Sequence, residues 1–75
     1  MKVFIDVLVL FTSEGKIIPK AIYWDDGRRF NIDKVIDVRR AASVKTGGTG
    51  VRFRCTILGR ERDLFLDDNR WFIEK

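Results

Sequence analysis

The chemistry-bearing residues of this chain are mostly arginines. Arg28, Arg29, Arg39, Arg40, Arg52, Arg54, Arg60 and Arg62 crowd the middle of the chain, between residues 28 and 62. A guanidinium is planar and permanently charged, forks its donors toward phosphate or carboxylate oxygens, and stacks on flat rings. Residues 28–62 hold these eight arginines and two lysines against three acids, a net of +7, whereas 1–27 and 63–75 carry −1 and −2. Such a block suits a polyanion, whose condensed counterions are released on contact. The plainer alternative is a solvated strand face whose arginines pair with Asp33, Asp37, Glu61 or Asp63. Between two of the basic stretches runs Lys45-Thr46-Gly47-Gly48-Thr49-Gly50. Its amides could cradle an anion, but it lacks the length and ending of a P-loop, so a hairpin loop is the simpler reading.

The remaining reactive types exclude more than they offer. Histidine is absent and cysteine occurs once, which removes histidine acid/base catalysis, a Cys/His pair, a thiolate zinc site and an internal disulfide. Asp25-Asp26 and Asp67-Asp68-Asn69 are acidic clusters, but their spacing matches no calcium loop and aspartate is at home in turns. A small ribonuclease that stabilises a phosphorane with arginine is conceivable, yet no nucleophile–base pair is visible. The expectation is therefore a non-enzyme with no cofactor, no metal and no small-molecule substrate. Tyr23, Trp24 and Trp71 are the amphipathic aromatics, suited to stacking bases or lining a peptide groove, or else to packing the core and its rim.

These side chains need strands to carry them. In 75 residues, a single domain spanning 1–75, 45% are hydrophobic and 12% aromatic, a globular composition in which folding buries only roughly 60% of the unfolded surface. Turn signals recur at 13–16, 25–28, 45–50, 58–61 and 67–70, with β-branched and aromatic runs between them, the pattern of a small sandwich or barrel. The predicted strands are 2–11, 17–25, 28–33, 35–44, 51–58, 63–66 and 71–74. The best helical candidate, 33–44, contains four β-branched residues and reads as a long bent strand, with room for a helical turn near Arg39 to Ala42. Asp26-Gly27 is the strongest hairpin signal, suited to a type I′ turn. The fold class predicted is all-β, an antiparallel meander closed into an SH3-like barrel of five to seven short strands. An open sandwich or an OB-like barrel is the alternative.

Two strands say what their faces do. In Val51-Arg52-Phe53-Arg54-Cys55-Thr56-Ile57 the alternation is strict, with Val51, Phe53, Cys55 and Ile57 on one face and Arg52, Arg54 and Thr56 on the other. Arg39 or Arg40 could extend that basic face. Cys55 falls on the core side, as an inert thiol. The first strand is apolar on both faces, Phe4, Leu8 and Leu10 opposing Val3, Ile5, Val7, Val9 and Phe11, so it is central, covered or part of a subunit contact. It carries Asp6 and is too short for a membrane span, so it reads as a strand rather than a leader. The unpaired cysteine favours the cytoplasm.

Trp24-Asp25-Asp26-Gly27-Arg28, then Phe30 to Val35, Arg52 to Ile57, Leu64-Phe65 and Trp71 to Glu74 together resemble a set of small uncharacterised bacterial proteins, some from mobile-element or phage-like settings. The resemblance spans nearly the whole chain and implies a compact β-barrel. Its motifs are packing and turn residues, so it supplies no catalytic or ligand residue. The functional expectation is a basic, non-catalytic module contacting DNA or RNA through Arg28, Arg29, Arg39, Arg40, Arg52, Arg54 and Lys45, with Tyr23, Trp24 and Trp71 as aromatic contacts. The alternative is a protein-interaction or homo-oligomerisation domain using the first strand.

Overall fold

The structure, a computed structural model, describes residues 1–43 and 48–75, with side chains outside 41–49. Among the described residues eight strands follow one another: β1 (Lys2–Phe4), β2 (Asp6–Phe11), β3 (Ile17–Tyr23), β4 (Arg29–Asn31), β5 (Lys34–Ser43), β6 (Gly48–Ile57), β7 (Arg60–Asp67) and β8 (Arg70–Glu74). They form two antiparallel sheets, one ordered β1-β8-β7-β6-β5 and the other β2-β3-β4. Among the described residues there is no helix. The fold is all-β, as the two-residue rhythm predicted.

Segment 33–44 is strand from Lys34 to Ser43, its β-branched side chains suiting a pleat better than a helical turn; Val44 lies outside the described residues. A bulge between Val35 and Asp37 supplies the bend. The predicted first strand breaks at Ile5, whose N–H donates to the Trp71 carbonyl at 3.1 Å before β2 departs for the other sheet. A second corner lies between β4 and β5. There the Ile32 N–H donates to Lys20 O at 2.9 Å in one sheet, and the next residue's N–H, of Asp33, to Thr56 O at 2.8 Å in the other.

The turn at Asp26-Gly27 is not type I′. Only Gly27 has a positive φ, 86°, while the Gly27 N–H donates to Trp24 O and the Trp24 N–H to Arg28 O, both at 2.9 Å. That is a three-residue type I turn closed by a glycine bulge, and Thr12 to Lys16 repeats it around Gly15. The type I′ conformation, positive φ at both central residues, occurs instead at Leu58-Gly59 (52° and 74°) and Asp68-Asn69 (51° and 67°).

The core lies between the sheets, where Ile22 meets Phe53, Cys55, Ile57 and Leu64, with Val7, Trp24, Phe30 and Trp71 packed around them. It is lean, as the chain length requires. The Cys55 thiol is buried and donates to Phe53 O at 3.6 Å. Burial pushes its pKa up to about 11.

Candidate nucleic-acid interface

Because Phe53, Cys55 and Leu64 point into the core, alternation sends Arg52, Arg54, Asp63 and Phe65 to the outer face of the five-stranded sheet. Register then assembles rows that no single strand reveals. Arg39 pairs with Arg52, Arg52 with Phe65, Phe65 with Phe72 and Phe72 with Phe4, one line across all five strands. The neighbouring row is Asp37, Arg54 and Asp63.

The first row is basic at one end, Arg39 and Arg52, and aromatic at the other, Phe65, Phe72 and Phe4. Phe65 stacks on Phe72 with ring centroids 5.2 Å apart and planes 13° from parallel, and Phe4 meets Phe72 edge-on at 5.8 Å. The Lys2 ammonium sits 4.8 Å from the Phe72 ring centre, and the Arg70 guanidinium lies 3.7 Å over Phe4. Phe72 is thereby buried on a face that has no second sheet, while Phe4 stays 47% exposed. An aromatic platform flanked by cations can hold unstacked bases and follow a phosphate backbone.

The arginines of this face are not bare. Arg39 and Arg52 both reach Asp37 Oδ2, at 2.9 and 3.2 Å. Two cations share one carboxylate there, and Arg52 Nε is buried with no hydrogen-bond partner. Arg54 grips Asp63 with both forks, Nε to Oδ1 at 3.0 Å and Nη2 to Oδ2 at 3.3 Å, and that hydrogen bond raises its pKa further above the ordinary arginine value. Partly exposed pairs of this kind are each worth about 0–1 kcal/mol, so a phosphate can compete for them.

The other predicted residues are dispersed. Arg40 pairs with Val51, which places it on the opposite face from Arg39 and Arg52. Arg28 is held at its turn by Asp26 at 2.6 Å. The Arg28 backbone N–H also donates to that carboxylate, at 3.0 Å, and this bond is the main cause lowering the Asp26 pKa. Arg29 lies on the outer face of the three-stranded sheet, donating to Asn31 Oδ1 at 3.0 Å and to the Tyr23 hydroxyl at 3.4 Å. Lys45 lies outside the described residues. Trp71 points inward, 5.0 Å from Phe53, and Trp24 packs on the core beneath the Lys75 ammonium. Neither tryptophan joins the arginine row; Phe4, Phe65 and Phe72 do.

A cleft of about 930 Å³ is lined by Ile22, Phe30, Ile57 and Leu64 and reaches Asp63 and Phe65 of the two rows. Its rim mixes Arg28, Arg60, Arg62 and Lys75 with Glu61, Asp63 and Glu74, a near balance of charge that selects no polyanion. Among the described residues no group of three or more acids or cysteines is placed to hold a metal ion. No helix there is long and apolar enough to cross a membrane.

Fold and face together define a small all-β domain presenting a basic and aromatic sheet surface. No protein-family model matches the chain, and no curated protein or solved structure is significantly similar to it.

Proposed function

We propose that this chain is a small non-catalytic binding module, built on an SH3-like barrel, that holds single-stranded nucleic acid on the outer face of its five-stranded sheet. The barrel reading is supported by the two corners, at Ile5 and at Ile32-Asp33, where one continuous stretch of chain serves both sheets in turn. The functional reading rests on one observation: the cross-strand row Arg39, Arg52, Phe65, Phe72, Phe4, with Arg70 and Lys2 over its rings. Bases would stack on the Phe4 face that Arg70 now covers, Arg70 swinging out to a phosphate, while Arg52 and Arg39 exchange Asp37 for phosphate. The shared carboxylate leaves one of those two charges uncompensated, so the exchange does not have to break a neutral pair.

The test is fluorescence anisotropy with a labelled single-stranded DNA, its RNA counterpart and a duplex, at two salt concentrations. Dissociation constants of about 10⁻⁴–10⁻⁶ M are expected, with a log–log salt slope of about −0.7 for each phosphate neutralised. Arg52→Glu/Arg54→Glu abolishes binding, and Phe4→Ala weakens the single strand more than the duplex. Absence of binding at low salt refutes the reading.

A further inference from the structure

Independently of the arginine face, we propose that β2 is the seam of a homodimer: two copies join antiparallel along this edge strand and merge their three-stranded sheets into one of six strands. Among the described residues β2 ends its sheet, paired on one side only, with β3. Soluble proteins usually blunt such an edge with charge, proline or a bulge. Here Val7 to Phe11 offers five consecutive apolar residues, and the only bulge of the pair interrupts the register on the β3 side, where Lys20 is skipped. Four of these residues are exposed in the monomer, Leu8 at 44%, Val9 at 37%, Leu10 at 47% and Phe11 at 67%.

A second copy fits this edge because the strand is complementary to itself. Two-fold pairing that keeps the core-side and outer faces in line requires residues of like parity to oppose one another. Centring the axis on Val9 places Leu8 against Leu10 and Val7 against Phe11, apolar on apolar on both faces. Asp6 then opposes Thr12 of the other copy. The next residue along that row is Lys16, whose carbonyl accepts from the Thr12 N–H at 2.8 Å and whose own N–H donates to Thr12 Oγ1 at 3.0 Å. Asp6 of each copy thus meets Lys16 of the other across a small hydroxyl side chain. Centring the axis on Leu8 instead would press Asp6 onto Leu10.

The area sets the strength. The four exposed side chains offer on the order of 350 Å² of apolar surface per copy, comparable to the largest patch on an ordinary monomer. A standard interface takes about 800 Å² from each partner. Ladder hydrogen bonds make up part of the difference, and the dimer belongs in the weak class, with a dissociation constant on the order of 10–100 µM.

Sedimentation velocity on the full chain, from about 5 µM to about 500 µM, reads this range directly. The expected result is a reversible monomer–dimer shift, lost in Leu10→Lys while circular dichroism and the melting temperature stay close to those of the parent. Asp6→Lys should weaken the dimer at least threefold, and Asp6→Lys/Lys16→Asp should restore it. A monomer throughout the range, a dimer indifferent to Leu10→Lys, or a double variant no tighter than Asp6→Lys would each overturn the proposal. Nucleic-acid binding by the monomeric Leu10→Lys variant is a separate readout, so failure of one proposal leaves the other standing.

Discussion

Replacing Leu58 by asparagine should stabilise the protein. Leu58 is the first central residue of a two-residue type I′ turn, flanked by the Ile57–Arg60 pair, and its φ of 52° lies in the left-handed region. For an ordinary L residue that conformation costs roughly 1–2 kcal/mol, because Cβ crowds the neighbouring carbonyl oxygen. Asparagine tolerates it far better, and Asp68-Asn69 fills the equivalent positions of the next hairpin. Against this stands the packing lost: Leu58 is 76% exposed, so only about a quarter of a leucine's burial, roughly 0.5 kcal/mol, is given up. The net gain is about 0.5–1 kcal/mol. In a domain of this size that raises the melting temperature by roughly 2–8 °C. Urea unfolding followed by tryptophan fluorescence should show a higher midpoint at unchanged slope. Leu58→Ala is the control, because alanine keeps the strain and loses the contact, and it should fall about 0.5 kcal/mol below the parent. A melting temperature unchanged or lowered in Leu58→Asn, or an alanine gain equal to the asparagine gain, refutes the strain argument.

Asp37→Asn leaves Arg39 and Arg52 facing each other across β5 and β6 without the charge they share. Like charges directly opposite destabilise a sheet, so a loss of about 1 kcal/mol that shrinks with added salt is expected in thermal melts. The same variant should bind single-stranded nucleic acid more tightly, since no carboxylate then competes with phosphate; weaker binding would contradict the proposed exchange. Cys55, with its pKa pushed up by burial to about 11 from an ordinary 9.0, holds its proton more tightly folded than unfolded. Its contribution to stability is therefore complete below pH 9 and lost as pH rises from there toward 11. At pH 8 the native thiol should react with a disulfide reagent only as fast as the chain opens, and labelling at the rate of a free thiol would show that it is not buried.

Much of the fold was readable because the signals are local. The alternation in Val51 to Ile57 assigns both faces of β6 from chirality and pleat alone, and Arg52 and Arg54 do point outward while Cys55 points in. Glycine and aspartate marked the turns, but turn type depends on the hydrogen-bond closure of the whole hairpin. Asp26-Gly27 therefore became a three-residue turn, while Leu58, with no local preference for it, adopts the left-handed conformation. The site was less legible. Alternation in Arg70 to Glu74 sets Arg70 and Phe72 opposite Trp71 and Ile73, so a choice between Trp71 and Phe72 was visible. That Phe72 is the outer ring follows from Trp71 packing 5.0 Å from Phe53 in the core.

Sequence by itself determined the pleated all-β class, the concentration of arginine in the middle of the chain, the absence of histidine chemistry and an apolar first strand. Each follows from composition or from contacts within a few residues. Only the tertiary structure decided which arginines meet: Arg39 falls beside Arg52 and Arg40 on the reverse face because a single bulge at Val35–Asp37 sets the parity of β5. It also decided that Phe4, Phe65 and Phe72, drawn from three strands up to 68 residues apart, form one platform. Cross-strand register depends on pairing between distant segments, and no window of neighbouring residues encodes it.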